Sequence, residues 1–193
     1  MPSLAEIAAA LYATWRLAHL DKTAFAHFDV SVAGAYKSFF AAVIVAPGYA
    51  LVLLLLYGGQ RFEASGPAIL AMTLLGYVLV WTIFPLVAHA VLRALAVQER
   101  FIPLLVGYNW AQCLIVYALL PLVALAASGM LAGVADLLLF LAQIFVAPAY
   151  LWFILRTALK GDGHIAFGLL IVALMIELIL QAAIEGRLGP IQG

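Results

Sequence analysis

The chain has 193 residues, of which 68% are hydrophobic and 9% are charged, and nine basic residues balance nine acidic ones. Soluble domains average about 45–50% apolar and about 25% charged residues, so this composition excludes an ordinary soluble domain and predicts burial by lipid. Because the formal net charge is zero, no overall field would attract nucleic acid, and we expect no nucleic-acid partner.

The first 31 residues predict a cytoplasmic segment that contains a short amphipathic helix. Ser3 followed by Glu6 is a capping-box pattern, in which each side chain bonds the other residue's free backbone amide. Apolar residues then recur at helical spacing on one face: Leu4, Ile7, Leu11, Trp15 and Ala18. Two placements stay open. The helix lies in the membrane interface, with Trp15 and Arg16 near the headgroups, or it packs on the protein's own cytoplasmic side.

Five apolar segments follow, and each is long enough to cross a membrane, because a hydrocarbon core about 30 Å thick needs about 20 helical residues. The segments cover residues 32–57, 67–95, 101–127, 131–159 and 164–184. Their short connections predict antiparallel neighbours. We therefore predict an all-α integral membrane protein, with five transmembrane helices in a compact bundle (residues 32–185) after the amphipathic helix and a short outer-side tail (residues 186–193).

The distribution of Lys and Arg predicts the orientation of the chain. With the N-terminus in the cytoplasm, the predicted inner side holds the larger group of basic residues: Arg16, Lys22, Lys37, Arg93, Arg100, Arg156 and Lys160. The predicted outer side holds Arg61 and Arg187. The positive-inside rule then places the N-terminus in the cytoplasm and the C-terminus on the outer side.

Five polar side chains within the predicted spans form a candidate intramembrane polar cluster: Asn109, Gln112, Gln143, Glu177 and Gln181. Counting about 1.5 Å per residue from the span ends places Gln112, Gln143 and Glu177 near the midplane. Amides in membrane helices commonly link helices, and each bond contributes about 0.6 kcal/mol and at most about 1.7. An intramembrane carboxylate more often marks proton or ion handling, so both interpretations stay open for Glu177.

Two further patterns concern the faces of the predicted helices. Ala42, Ala46 and Ala50 follow one another at four-residue spacing, which predicts a helix-packing face, either within the chain or towards another protein. If Asn109 and Gln112 face the bundle, Trp110 points away from it, because successive helical residues are about 100° apart. We then expect Trp110 to contact lipid or a partner subunit.

No catalytic, cofactor-binding or metal-binding pattern is found in the sequence. A phosphate-binding glycine loop, a nucleophile elbow and paired carboxylates are missing, and the four histidines lack zinc-ligand spacing. The one cysteine, Cys113, fits a small buried hydrophobe. An intramembrane enzyme would have only Cys113 and His89 to use, on different helices, so we predict no enzymatic activity and no cofactor.

The third predicted span, FIPLLVGYNWAQCLIVYALLP from Phe101 to Pro121, resembles the Yip family of small five-span membrane proteins, in particular its bacterial members. Its YNW cluster and its later LLP stand where such proteins carry a Gly-Tyr motif and a proline. The resemblance implies a bacterial inner-membrane protein with N-in, C-out topology and a scaffolding or adaptor role. The GTPase-binding region of eukaryotic members does not carry over, because only about 30 residues precede the first span.

Together these patterns predict a non-enzymatic integral membrane protein that acts as an accessory subunit, assembly factor or scaffold. Its expected partners are membrane lipids and other membrane proteins or a second copy of the chain. The alternative is a small transporter or channel that uses the polar cluster as a midplane site. In that case Glu177 would handle a proton or a cation.

Overall fold

The computed structural model describes residues 1–59, 62, 64–131 and 133–188. This part of the chain is all-helical, and it contains a short N-terminal helix and five helices that are long and apolar enough to cross a membrane. The predicted helical class, the N-terminal helix and the five long apolar helices are thereby confirmed. Arg61 of the predicted outer side and residues 189–193 of the predicted tail lie outside the described residues.

The helices are numbered in chain order. Those of the first half are α1 (Leu4–Ala18), α2 (Val32–Ser38), α3 (Phe40–Tyr57) and α4 (Gly66–Ala94). Those of the second half are α5 (Phe101–Ser128), α6 (Val134–Leu141), α7 (Ala147–Ala158) and α8 (Gly163–Leu188). The first span consists of α2 and α3, the second of α4, the third of α5, the fourth of α6 and α7, and the fifth of α8.

Polar side chains cap four of these helices, and Asp162 caps α8 by accepting the Ile165 N–H at 3.3 Å. Ser3 Oγ accepts the Glu6 N–H at 3.2 Å, and the Glu6 carboxylate accepts the Ser3 N–H at 2.6 Å, which completes the capping box of α1. Ser31 Oγ accepts the Gly34 N–H at 3.0 Å at the start of the first span. The Asp136 carboxylate accepts a backbone N–H just before α6. Each bond satisfies an amide that the first helical turn leaves without a partner.

The fourth span contains a π-helical turn, Ala142–Val146, directly before Pro148. Proline has no N–H, and its ring crowds the carbonyl four residues earlier. The wider π turn makes room at this point, and the Ala147 N–H bonds the carbonyl of Ala142, five residues back. The span can therefore continue past the proline as α7.

The third span is the central helix of the structure. It packs against α1 and against the first, second and fourth spans. Eight consecutive residues of α5 are buried: Leu104, Leu105, Val106, Gly107, Tyr108, Asn109, Trp110 and Ala111. A helix that is buried all round over two turns has neighbours on every side.

The helix α1 packs on the bundle through a face other than the predicted apolar one, which leaves that apolar face free for the membrane interface. Its buried residues are Ala10, Ala13, Thr14 and Leu17, and the Tyr150 hydroxyl of the fourth span donates to the Thr14 carbonyl at 3.0 Å. On the predicted face, Leu4 and Trp15 are 86% and 56% exposed. Small side chains allow α1 to approach α5 closely, so the larger apolar side chains are left facing outwards.

The bundle is tightly packed at the end that carries α1 and opens towards the other end. We call residues 49–75, 117–147 and 175–188 the far half, and the remaining residues of the spans the near half. Among the described residues of the far half, only Val123 and Ala135 are buried, whereas the hydrophobic core lies almost entirely in the near half and α1. Apolar side chains in a hydrocarbon environment gain little from packing on each other, so an open far half is compatible with lipid around it.

The first and third spans approach each other closely at Gly48. A Cβ atom at Gly48 would lie 3.1 Å from Tyr117 Cε1 and 3.2 Å from Val116 Cγ1. We predict that Gly48→Leu overpacks this contact and lowers the free energy of unfolding by about 1–3 kcal/mol, measured by SDS titration in mixed micelles. The control is Gly168→Leu, because a Cβ at Gly168 in the fifth span meets no atom within 4 Å. If both variants lowered the free energy of unfolding equally, this close packing at Gly48 would be contradicted.

Candidate functional site

Three side chains of the third span, at four-residue spacing, donate hydrogen bonds to the first span. The bonds extend from Asn109 Nδ2 to Ser38 Oγ at 2.9 Å, from Cys113 Sγ to the Ala41 carbonyl at 3.9 Å and from Tyr117 Oη to the Ile44 carbonyl at 2.7 Å. We call this set of bonds the polar ladder. Because positions four residues apart share a helix face, it joins the two spans along a single seam.

Asn109 belongs to the polar ladder and is fully buried. Ser38, which accepts its amide N–H, donates in turn to the carbonyl of Ala35 at 2.7 Å. Asn109 Oδ1 has no hydrogen-bond partner among the described residues. The side chain thus links two helices and does not reach the other residues of the predicted cluster.

Trp110 is only 4% exposed, so the expectation that it faces lipid or a partner subunit is wrong. Trp110 lines a small cavity together with Pro2, Glu6 and Lys37, which shows that α1 and the start of the first span cover it. Helical spacing gives the direction in which Trp110 points. It does not show that the chain's own N-terminal helix lies on that side.

The most buried face of the first span lies beside the predicted alanine face. Its residues are Ser38, Ala41, Val45 and Gly48. Of the predicted alanines, Ala42 and Ala46 are partly buried and Ala50 is exposed. The carbonyl of Ala42 accepts a hydrogen bond from the Tyr77 hydroxyl of the second span at 2.5 Å. Within the chain, the packing seam is therefore shifted by one residue, and a role of the alanines towards another protein stays a prediction.

Glu177 continues the buried face of the fifth span into the far half. Ala166, Leu170 and Ala173 are buried on this face, and Glu177 follows at helical spacing, with Gln181 one turn further. Both Glu177 and Gln181 are exposed, because the bundle has opened at their level. Glu177 is therefore directed towards the opening between the spans and not towards their outer surface.

Two tyrosines lie near the Glu177 carboxylate. Glu177 is close enough to Tyr49 of the first span and Tyr108 of the third span to act on both hydroxyls electrostatically, and the Gln112 side chain lies beside Tyr108. Tyr108 stacks on Phe84 of the second span, with ring centroids 4.0 Å apart. No sequence signal distinguishes these tyrosines, because aromatic residues are common throughout the spans.

The fourth and fifth spans pack together in the near half and separate in the far half. The helix α7 packs against α8, whereas α6 packs against the third span. We call the gap between residues 134–146 and 175–188 the far cleft. Gln143 is exposed in the π turn of the fourth span. Neither Gln143 nor Glu177 has a hydrogen-bond partner in the described part of the chain.

Two residues of the predicted cluster, Gln112 and Glu177, come together at Tyr108, and both lie beside its hydroxyl. Asn109 is bonded to the first span. Gln143 and Gln181 are exposed on the fourth and fifth spans. What the structure offers chemically is a carboxylate beside tyrosine hydroxyls at an opening, with an exposed amide on the neighbouring span.

Ion pairs hold the N-terminal segment in place. Lys37 Nζ of the first span lies 2.5 Å from the Glu6 carboxylate of α1, and Arg16 pairs with Asp21 just after α1. The Lys37 ammonium, together with the Ser3 hydrogen bonds, lowers the pKa of Glu6 from 4.5 to about 2. The Glu6–Lys37 pair is the charged link between α1 and the spans.

Among the described residues, no group of three His, Cys, Asp or Glu side chains could hold a metal ion. His89, one of the two groups that an intramembrane enzyme could use, packs its ring against Phe101 with centroids 4.8 Å apart. Comparisons of the chain with protein-family models, curated proteins and solved structures give no match. The resemblance to the Yip family stays a prediction, and the function is argued from the geometry.

The Glu6–Lys37 pair predicts a pH dependence of stability. Because the pKa of Glu6 falls on folding, the pair stabilises the protein fully above pH 4.5, and this contribution is lost as the pH falls towards 2. We predict that Glu6→Gln, which keeps a capping side chain, lowers the melting temperature at neutral pH. The difference from the wild-type protein should shrink steadily below pH 4.5.

The measurement is the melting temperature in detergent over this pH range. The control is Glu99→Gln, which removes a carboxylate from a side chain that is 63% exposed and lies outside α1. The melting temperatures of the wild type and Glu6→Gln could differ by the same amount down to pH 2, or Glu6→Gln could lose no more than the control at any pH. Either result would show that the Glu6–Lys37 pair does not hold α1.

Proposed function

We propose that the chain is a non-enzymatic integral membrane protein that binds other membrane proteins or a second copy of itself, as an accessory subunit, assembly factor or scaffold. The far cleft carries this proposal. In hydrocarbon, polar groups without partners are costly and almost always face protein or a water-filled cavity. A helix of a partner protein that enters the far cleft would supply hydrogen bonds to Gln143 and Glu177.

The charge pattern of the spans supports a membrane around the far half and the adjoining part of the near half. Uncharged stretches of about 20 residues occupy positions 39–57, 66–85 and 109–128, and each is about 30 Å long as a helix, which matches the hydrocarbon core. Two contacts join the near ends of these stretches: Ser38 with Asn109, and Phe84 with Tyr108. The bond from Tyr150 to Thr14 holds α1 against the fourth span. In this placement, α1 lies at one membrane surface.

Basic residues cluster on the α1 side of this level. Arg93, Arg100, Arg156 and Lys160 all belong to the near half or its connections. The positive-inside rule then favours a cytoplasmic near half, with the N-terminus inside and the C-terminus outside. A bacterial inner membrane as the location rests on the resemblance of the third span to the Yip family.

We predict that Gln143→Leu and Glu177→Leu reduce association with the membrane partner or second copy. Each lost interhelical hydrogen bond, at about 0.6–1.7 kcal/mol, corresponds to a roughly 3- to 20-fold weaker complex. The measurement is crosslinking in native membranes, followed by native mass of the complex after mild-detergent extraction.

The matched control is Thr82→Leu. Thr82 is also an exposed polar residue within a span, but its hydroxyl already bonds the carbonyl of Val78 at 2.8 Å. This change should leave association intact. A strictly monomeric wild-type protein with no crosslinked membrane partner would rule the proposal out.

A small transporter or channel is the second candidate, and the position of Glu177 beside Tyr49 and Tyr108 favours it. Here the carboxylate would carry a proton or a cation through the opening.

The variant Glu177→Gln separates the two functions, because glutamine still forms hydrogen bonds but cannot titrate or carry charge. An accessory role predicts nearly normal association of Glu177→Gln. A transport role predicts loss of proton-coupled or cation flux in proteoliposomes that contain this variant. Flux that is the same for wild type, Glu177→Gln and protein-free vesicles excludes transport of the tested ions.

A further inference from the structure

The near half carries a groove that the proposed partner binding does not use. It lies where the fourth span ends and the fifth begins, and it has a volume of about 470 Å³. It is lined by the polar side chains of Arg156, Asp162 and His164 and by the rings of Trp152 and Phe167. This size falls within the range of about 300–1,000 Å³ that is typical of small-molecule sites. We propose that this groove binds the phosphate of a phospholipid headgroup.

The Arg156 guanidinium is the main anion-binding group. It lies over the Trp152 ring at 5.2 Å, and its Nε donates to the Gly161 carbonyl at 3.4 Å. No carboxylate pairs with Arg156 among the residues that the structure describes. Its two terminal nitrogens therefore remain available, and a planar guanidinium can donate two parallel hydrogen bonds to a phosphate.

The acidic residue of the groove does not neutralise Arg156. Asp162 Oδ1 accepts the Ile165 N–H at 3.3 Å, and Asp162 Oδ2 lies 3.8 Å from Arg100 Nη1. Its carboxylate is thus engaged with the fifth span and with Arg100. His164 and Lys160 are exposed beside the groove and can add hydrogen-bond donors. The groove therefore presents an excess of donors and positive charge.

The aromatic part of the groove favours a lipid as the source of the phosphate. Phe167 is 56% exposed, and the Trp152 ring is fixed by a hydrogen bond from Nε1 to the Gly163 carbonyl at 3.3 Å. Tryptophan beside a basic side chain is typical of the membrane–water interface, and basic pockets between spans bind lipid headgroups. This inference depends on the membrane placement proposed above, but not on partner binding at the far cleft.

The test is native mass spectrometry of the purified full chain in detergent, with phosphatidylglycerol as the probe. The wild-type protein should retain phosphatidylglycerol, but not a diacylglycerol with the same acyl chains and no phosphate. Arg156→Gln should bind phosphatidylglycerol about tenfold more weakly, because it loses charge-assisted hydrogen bonds. Arg156→Lys keeps the charge and should retain part of the affinity, which separates lipid binding from a folding defect.

The matched control is Arg93→Gln, which removes the same charge from an exposed position elsewhere in the near half. An equal loss in Arg93→Gln, or equal retention of diacylglycerol by the wild type, would overturn the proposal. The proposal would also be overturned if inorganic phosphate displaced phosphatidylglycerol at a concentration similar to that of the lipid. The groove would then be a site for a soluble anion. The variants Gln143→Leu and Glu177→Leu should bind the lipid normally. A failure of the partner proposal can therefore be distinguished from a failure of the lipid proposal.

Discussion

The contact between the first and third spans is the constraint on which the rest of the structure depends. Lipid tails are as apolar as the side chains of the spans, so the hydrophobic effect alone does not select which helices meet. The polar ladder makes that selection with three donors on one face of α5, and Gly48 allows the close approach that these bonds require. With the first span fixed on one side, the other sides of α5 receive α1 and the second and fourth spans.

The difference between the two halves follows from what surrounds each of them. The near half carries charged residues and is held by packing around α5 and by the Glu6–Lys37 pair. The far half has mostly uncharged helices that can contact lipid directly, so little drives them together. It is there that Gln143 and Glu177 lack hydrogen-bond partners. A rigid near half thus positions polar groups at the opening of the far half.

The sequence predicts where the helices of this fold lie along the chain better than it predicts which helices pack against each other. Long apolar runs identify the five spans, and Ser3 with Glu6 predicts the start of α1, because both signals are local. The environment of Trp110 is wrongly predicted, since helical spacing shows which residues share a face but not which helix covers it. The same limit applies to the polar cluster: depth alone does not show that Gln112 and Glu177 share Tyr108 as a neighbour. Tyr49 and Tyr108 become recognisable only through their distance from Glu177.

Both proposed binding sites lie along the seam between the fourth and fifth spans, one where the spans join and one where they part. The groove is formed by the end of α7 and the start of α8. The far cleft lies where α6 packs against the third span and not against the fifth. The π turn Ala142–Val146 and Pro148 stand between these two parts of the fourth span. Such breaks in the regular hydrogen bonding are the usual points at which a helix changes direction. The π turn and Pro148 therefore mark the point along the fourth span where its packing partner changes from the fifth span to the third.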